Sequence, residues 1–197
     1  MQRLKTAAIL VAALTLGAGT VAFAGGGDDP PRGKRGDRGD HWPGHRGGGV
    51  AGARLATVEG DDVGHVWFKE RKGAVWVFAR VHDLPPGFHG FHIHTTGACE
   101  PPDFPSAGGH LNLTGDTHGG HSGDLPSLLV NEDGSGVLAT ATDRFSLADL
   151  RDEDGSAVMV HSDPDNFAHI PERYGGPDED TLNTGDAGSR LACGEVR

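Results

Sequence analysis

The chain has 197 residues, 36% of them hydrophobic, with 28 Asp and Glu against 17 Lys and Arg and a formal net charge of −11 at pH 7. Twenty-four of the acids but only ten of the bases lie between Val50 and Arg197, a formal −14 for that stretch. Such a charge argues against nucleic acid as a partner and obliges any anionic substrate to find a local positive site.

In chain order, residues 1–24 read as a secretory signal peptide. Arg3 and Lys5 precede an apolar run from Ala7 to Leu16, and small residues then lead to Ala22-Phe23-Ala24, an A-x-A cleavage pattern. The run is short for a transmembrane span, so the protein is expected to be exported, whether extracellular, periplasmic or associated with the cell envelope. No cysteine follows the cleavage pattern, so no lipoprotein anchor is indicated; an uncleaved signal would itself serve as a membrane anchor. Residues 25–49 are rich in Gly, Pro, Arg and Asp and too poor in apolar groups to offset the entropy of ordering, the signature of a flexible linker. Its bases suggest a weak association with a negatively charged envelope surface, and its His41 and His45 read as solvated tail residues.

From Val50 to Arg197 the chain is long enough for one domain with its own core. Alternating patterns predict short strands at Ala51–Val58, Val66–Phe68, Ala74–Val81, Gly136–Thr142 and Ala157–His161, separated by turn clusters such as Gly60-Asp61-Asp62 and Glu132-Asp133-Gly134. Only Ser146–Leu150 suggests a helical turn. The fold class is all-β, a sandwich or barrel. Pro86–His94 reads as one further strand, in which the period of two sends His92 and His94 to one face and Phe91 and Ile93 to the other. Paired imidazoles of this kind begin a site for copper or zinc.

Two stretches, 97–126 and 162–189, are too long and too rich in Gly, Pro and Asp to be hairpin loops, and long ordered loops usually carry function. The first contains His110, His118, His121 and Asp124 among glycines that let the backbone fold around an ion, which suggests a tetrahedral zinc site. His161 closes a strand able to lie beside His92 and His94. Cys99 and Cys193 suggest a disulfide in an oxidising compartment, with two free copper-ligating thiols as the alternative.

Five motifs in order resemble the copper–zinc superoxide dismutase family over about 50–194. They are Gly90-Phe91-His92-Ile93-His94, Ser106-Ala107-Gly108-Gly109-His110, His121-Ser122-Gly123-Asp124, Val160-His161, and the segment from Gly185 to Gly194. The resemblance implies a Greek-key sandwich or flattened barrel of about eight antiparallel strands with two long functional loops. It implies copper held by His92, His94, His110 and His161, with His110 bridging to zinc held also by His118, His121 and Asp124. Asp165 then hydrogen-bonds one copper and one zinc histidine, Arg190 stands beside the open copper position, and Cys99 and Cys193 form the family disulfide. His65, His82, His89 and His169 are left as ordinary surface or packed histidines, and the Asn112-Leu113-Thr114 sequon as incidental.

The implied activity is conversion of superoxide to oxygen and hydrogen peroxide by one-electron cycling of copper, with His110 carrying a proton. The alternatives are a copper-only dismutase with an empty zinc site and a copper-binding or delivery protein without turnover. Two departures from the family pattern bear on this. Only two residues separate His118 from His121, and Asn183 stands where many relatives carry a lysine, leaving substrate steering to Arg190. The protein is expected to be a monomer or homodimer, with a last strand too short to favour a dimer interface.

Overall fold

A computed structural model describes residues 49–197; the expected signal segment and all of the linker but Gly49 lie outside the described residues. Nine strands follow one another as β1 (Val50–Ala56), β2 (Asp62–Arg71), β3 (Ala74–Val81), β4 (Gly87–His89), β5 (Phe91–His94), β6 (Leu128–Val130), β7 (Gly136–Thr142), β8 (Ala157–His161) and β9 (Arg190–Glu195). All pairings are antiparallel, in the order β4-β6-β7-β3-β2-β1-β9-β8-β5. The first and last members of that order are sequence neighbours joined at Gly90, so the sheet curls into a nearly closed barrel. Pairings between distant strands, β3 with β7 and β1 with β9, are the crossovers expected of Greek-key connections.

The all-β expectation and the positions of most strands hold; β6 and β9 lie outside the stretches that alternation marked, and three further differences follow. The stretch expected as one strand from Pro86 to His94 is two, because Gly90 turns away from the ladder of β4 with β6: its N–H donates to the Asp163 carbonyl and its carbonyl accepts from His161 N–H. Ala187 packs so close that a Cβ at Gly90 would lie 2.6 Å from its methyl. The helical turn expected at Ser146–Leu150 is a 3₁₀ turn at Asp149–Arg151. A helix, α1 (Glu179–Thr184), lies within the second long loop, capped by Asp178, whose side chain accepts from Thr181 N–H, and by Gly185 in the left-handed conformation.

Inward residues of the strands, among them Leu55, Val66, Phe68, Val77, Phe91, Ile93, Val158 and Val160, form one core. A smaller cluster of Phe104, Ala107, Ala157 and Met159 surrounds the disulfide between Cys99 and Cys193, whose Cα atoms are 5.8 Å apart. The cysteines are therefore bonded to each other and are not free copper ligands. Closing a loop across 94 residues of sequence contributes roughly 4–5 kcal/mol in the chain-entropy model. It also ties the first long loop to β9, next to Arg190.

Candidate metal centre

β5 and β8 pair in register, with His92 opposite Met159 and His94 opposite Ala157, and this brings His161 at the end of β8 beside the histidines of β5. The first long loop adds His110 through an isolated bridge between His94 and His110. His92, His94, His110 and His161 each offer a ligand atom, and the four atoms lie within 4.8 Å of one another.

Each ring is held by one nitrogen. His92 Nε2–H donates to Asp165 Oδ2 at 2.7 Å, His94 Nδ1–H to the Gly108 carbonyl at 2.9 Å, and His161 Nδ1–H to the Gly188 carbonyl at 3.2 Å. Those bonds assign the proton to one side of each imidazole and leave a lone pair on the other. His94 Nε2 and His161 Nε2 then face each other at 3.4 Å, and His92 Nδ1 is buried without a hydrogen-bond partner. A buried nitrogen with no partner is costly, and a cation among these lone pairs removes that cost.

A second group forms around Asp124. Its Oδ1 lies 3.0 Å from His110 Nδ1, 3.3 Å from His118 Nδ1 and 3.4 Å from His121 Nδ1. His110 Nδ1 is 3.3 Å from His118 Nδ1 and 3.4 Å from His121 Nδ1. For ligands about 2.0–2.1 Å from a tetrahedral zinc ion the edges of the tetrahedron are about 3.3–3.4 Å, so these five separations suit such an ion. Across the short His118–His121 spacing Asp124 Oδ2 accepts from both Gly119 N–H and His121 N–H, which holds the backbone there, although the four ligand atoms that lie within 4.8 Å of one another are those of His92, His110, His118 and Asp124. His92 also falls within reach of His110, His118 and Asp124.

Asp165 joins the two groups. Its side chain is fully buried; Oδ1 accepts from His118 Nε2–H at 2.7 Å and from Phe167 N–H, and Oδ2 accepts from His92. Burial alone would raise its pKa, but these hydrogen bonds outweigh it and hold the carboxyl well below the usual range. A Cβ at Gly185 would meet both Asp165 Oδ1 and His118 Nε2 at 2.2 Å, so the bond between those two side chains requires glycine there.

The electrostatics of the two groups differ. Burial pushes His92 down to about 4 and His161 to about 3, and His94 also lies well below its ordinary value. Burial would lower His118 too, but its hydrogen bonds to Asp124 and Asp165, and their charges, raise it to about 9. Near neutral pH the first three are neutral lone-pair donors, whereas His118 keeps a proton at Nδ1 that zinc must displace. Zinc affinity is accordingly expected to rise by about tenfold per pH unit between pH 7 and 9 and to level off above. Competition with a chromophoric chelator across that range measures it; a flat profile would contradict the charge assigned to His118.

Two residues have parts that the sequence reading did not give them. Arg144 Nη1 donates to the carbonyls of Gly119 and His121, at 3.1 and 3.3 Å, bracing the backbone that Asp124 holds from its N–H side. Substitution R144A is expected to weaken zinc binding by roughly 10- to 100-fold while copper binding stays unchanged, measured by competition for each metal separately. His89 is packed, as expected, but both of its ring nitrogens meet carbonyl oxygens, of His161 at 2.7 Å and Pro85 at 2.8 Å, and it so fixes the backbone of His161.

A cleft of about 780 Å³ opens over the first group, lined by His94, His110, His161, Asp180, Asn183 and Arg190 among others. Arg190 donates from Nη2 to the Gly108 carbonyl at 2.6 Å and from Nη1 to the Phe104 carbonyl, which holds its charge at the cleft wall. Asp180 and Thr184 line the same cleft; the structure brings every histidine and acid expected as a ligand to it or beneath it.

Comparison with known proteins agrees with this arrangement. A family profile described as copper/zinc superoxide dismutase matches residues 63–196. A superoxide dismutase [Cu-Zn] of Mycolicibacterium paratuberculosis is 50% identical over 130 residues, 57% of this chain and 57% of that protein. The chain thus spans little more than half the length of this relative. A superoxide dismutase [Cu-Zn] of Escherichia coli strain K12 is 37% identical over 152 residues, 70% of this chain and 80% of that one. The crystal structure of a SOD-like protein from Bacillus subtilis superposes with a TM-score of 0.61 at 31% identity, covering 73% of this chain and 96% of that chain.

Proposed function

The chain belongs to the copper/zinc superoxide dismutase family, and from that premise we propose that it converts superoxide to oxygen and hydrogen peroxide at a copper site backed by zinc. The observation that carries the reading is the buried, unpartnered His92 Nδ1 facing the lone pairs of His94, His110 and His161 under an arginine-lined cleft. His92, His94, His110 and His161 would hold copper, and His110, His118, His121 and Asp124 would hold zinc. Copper would supply a reversible one-electron couple, which zinc cannot, and zinc would supply a fixed positive charge.

The chain's own residues do the rest. Arg190 draws the anion into the cleft against the domain's negative field. His110, with Nδ1 committed to the Asp124 group, presents its other nitrogen to the cleft as the place where a proton is held and handed on. Asp165 accepts from Nε2–H of both His92 and His118, so that Nδ1 is the atom each ring turns toward metal. Two superoxide ions and two protons leave as one oxygen and one hydrogen peroxide.

The disulfide suits an oxidising compartment, and with the N-terminal pattern it supports export. The test is the decay of a superoxide pulse with the purified full chain supplied with copper and zinc. Catalysed decay that follows copper occupancy is expected; copper uptake without turnover would instead assign the chain to copper binding or delivery.

A further inference from the structure

The outward face of β1, β2, β3 and β7 interleaves aromatic and basic side chains. In register across those strands, one row is Arg54, His65, Arg80 and Val137, the next Gly52, Trp67, Phe78 and Ala139, and the third Val50, Lys69, Trp76 and Ala141. Arg71 and Lys72 follow where β2 turns into β3. All five Lys and Arg are exposed, Trp76 is 45% exposed, Phe78 42% and Val137 74%. The rings stack in two pairs, His65 on Trp67 at 5.7 Å and Trp76 on Phe78 at 6.4 Å.

Arg54, Lys69, Arg71, Lys72 and Arg80 are half of the ten bases of Val50–Arg197, gathered on one face of a domain whose formal charge is −14. Of the acids beside them, Asp62 pairs with Arg54, Asp83 with His82, and Glu70 accepts from Leu147 N–H, which leaves Asp143 just past β7. The acidic turns that carry Glu59, Asp61, Glu132 and Asp133 lie at the other end of β3, whose eight residues span about 26 Å, far beyond the screening length of about 8–10 Å from Lys69, Arg71 and Lys72. The chain enters this face beside Lys69, which pairs with Val50, and the Gly49 carbonyl accepts from Glu70 N–H. Just before that point, Arg32 to Arg46 hold five bases against two acids, with Trp42 among them. We propose that this face lies against an anionic phospholipid bilayer, with Trp67, Trp76 and Phe78 at the level of the headgroups and the bases on lipid phosphates. Trp and Phe set among Lys and Arg is the composition of a surface that rests in the membrane interface, where the basic side chains lay their apolar stems along the rings and keep their charges at the phosphates. A second copy of the chain is the poorer partner, because two such faces would set basic rows over basic rows. The strand order places β2 and β3 across the barrel from β5, so the metal cleft over His94 and His161 faces away from the bilayer and stays open to solvent.

Flotation of the purified full chain with vesicles tests the proposal and does not depend on the catalytic reading. The apolar run at 7–16 would bind neutral and anionic vesicles alike, so the readout is the ratio of binding to equimolar phosphatidylglycerol–phosphatidylcholine vesicles over binding to phosphatidylcholine alone. The parent is expected to favour the anionic vesicles at least about tenfold at low salt, with the preference fading as salt is raised. K69E/R71E and W76A/F78A are each expected to bring the ratio to about threefold or less while keeping a thermal unfolding midpoint close to that of the parent. A parent that binds both vesicles alike would overturn the proposal. A preference undiminished by K69E/R71E would place the binding in residues 25–49 and overturn it too. So would a parent without the preference whose dimers, seen by sedimentation velocity, W76A/F78A dissociates, which would assign the face to a second copy.

Discussion

Substitution R190E is expected to lower superoxide turnover by on the order of a hundredfold while copper remains bound. The domain carries a formal −14, so a diffusing anion approaches the cleft against a net repulsive field unless a cation stands at the cleft wall. Arg190 is that cation, held over the cleft by the Phe104 and Gly108 carbonyls; burial lowers its pKa somewhat, and it stays charged at all working pH values. Asn183 on the same wall is neutral and adds no attraction. Glutamate reverses the sign at the point where field lines converge. Dependence on ionic strength separates steering from a merely structural effect. Turnover of the parent is expected to fall as salt is added, because screening weakens the pull of Arg190, and the dependence is expected to flatten or invert in the variant. R190K keeps the charge but loses the two-pronged grip on the carbonyls, so it should retain much of the rate. Unchanged turnover in R190E would remove Arg190 from the account.

Substitution D165A is expected to lower zinc affinity by roughly 10- to 100-fold and to loosen the copper site as well. The carboxylate is the acceptor for one nitrogen of His92 and one of His118, each at 2.7 Å, in a pocket from which water is excluded. Alanine leaves both N–H groups buried and unpaired, at a cost of about 1–3 kcal/mol each. Both rings are then free to turn or to move their proton to Nδ1, the atom each offers to metal. D165N is no remedy, because an amide that accepts from one imidazole N–H presses its own N–H against the other. Separate competition titrations for zinc and copper measure the effect. Zinc affinity unaltered in both variants would show that the rings are held by packing alone.

Much of the copper group was legible in the chain because a period of two suffices to put His92 and His94 on one face, and because His161 ends a strand of plain alternating character. The zinc group was legible as a cluster of His110, His118, His121 and Asp124 between glycines, although its closeness to a tetrahedron emerges only from the folded loop. Gly90 was not legible as a break: Phe-His-Gly-Phe-His-Ile-His reads as continuous strand, and what divides it is contact with Asp163 and Ala187, seventy residues and more further along. Helix α1 is too short for a hydrophobic period to register, and only its ends, Asp178 and Gly185, carry a signal. Arg144 escaped because its partners are backbone carbonyls 23 and 25 residues away, and such a bond leaves no mark in the residues that accept it.

The most direct measurement is a metal count of the purified full chain, stripped and then titrated with copper and zinc, with superoxide turnover followed at each addition. One equivalent of each, with turnover rising in proportion to copper, is the predicted result. One equivalent of copper bound with no turnover at any zinc level would contradict it.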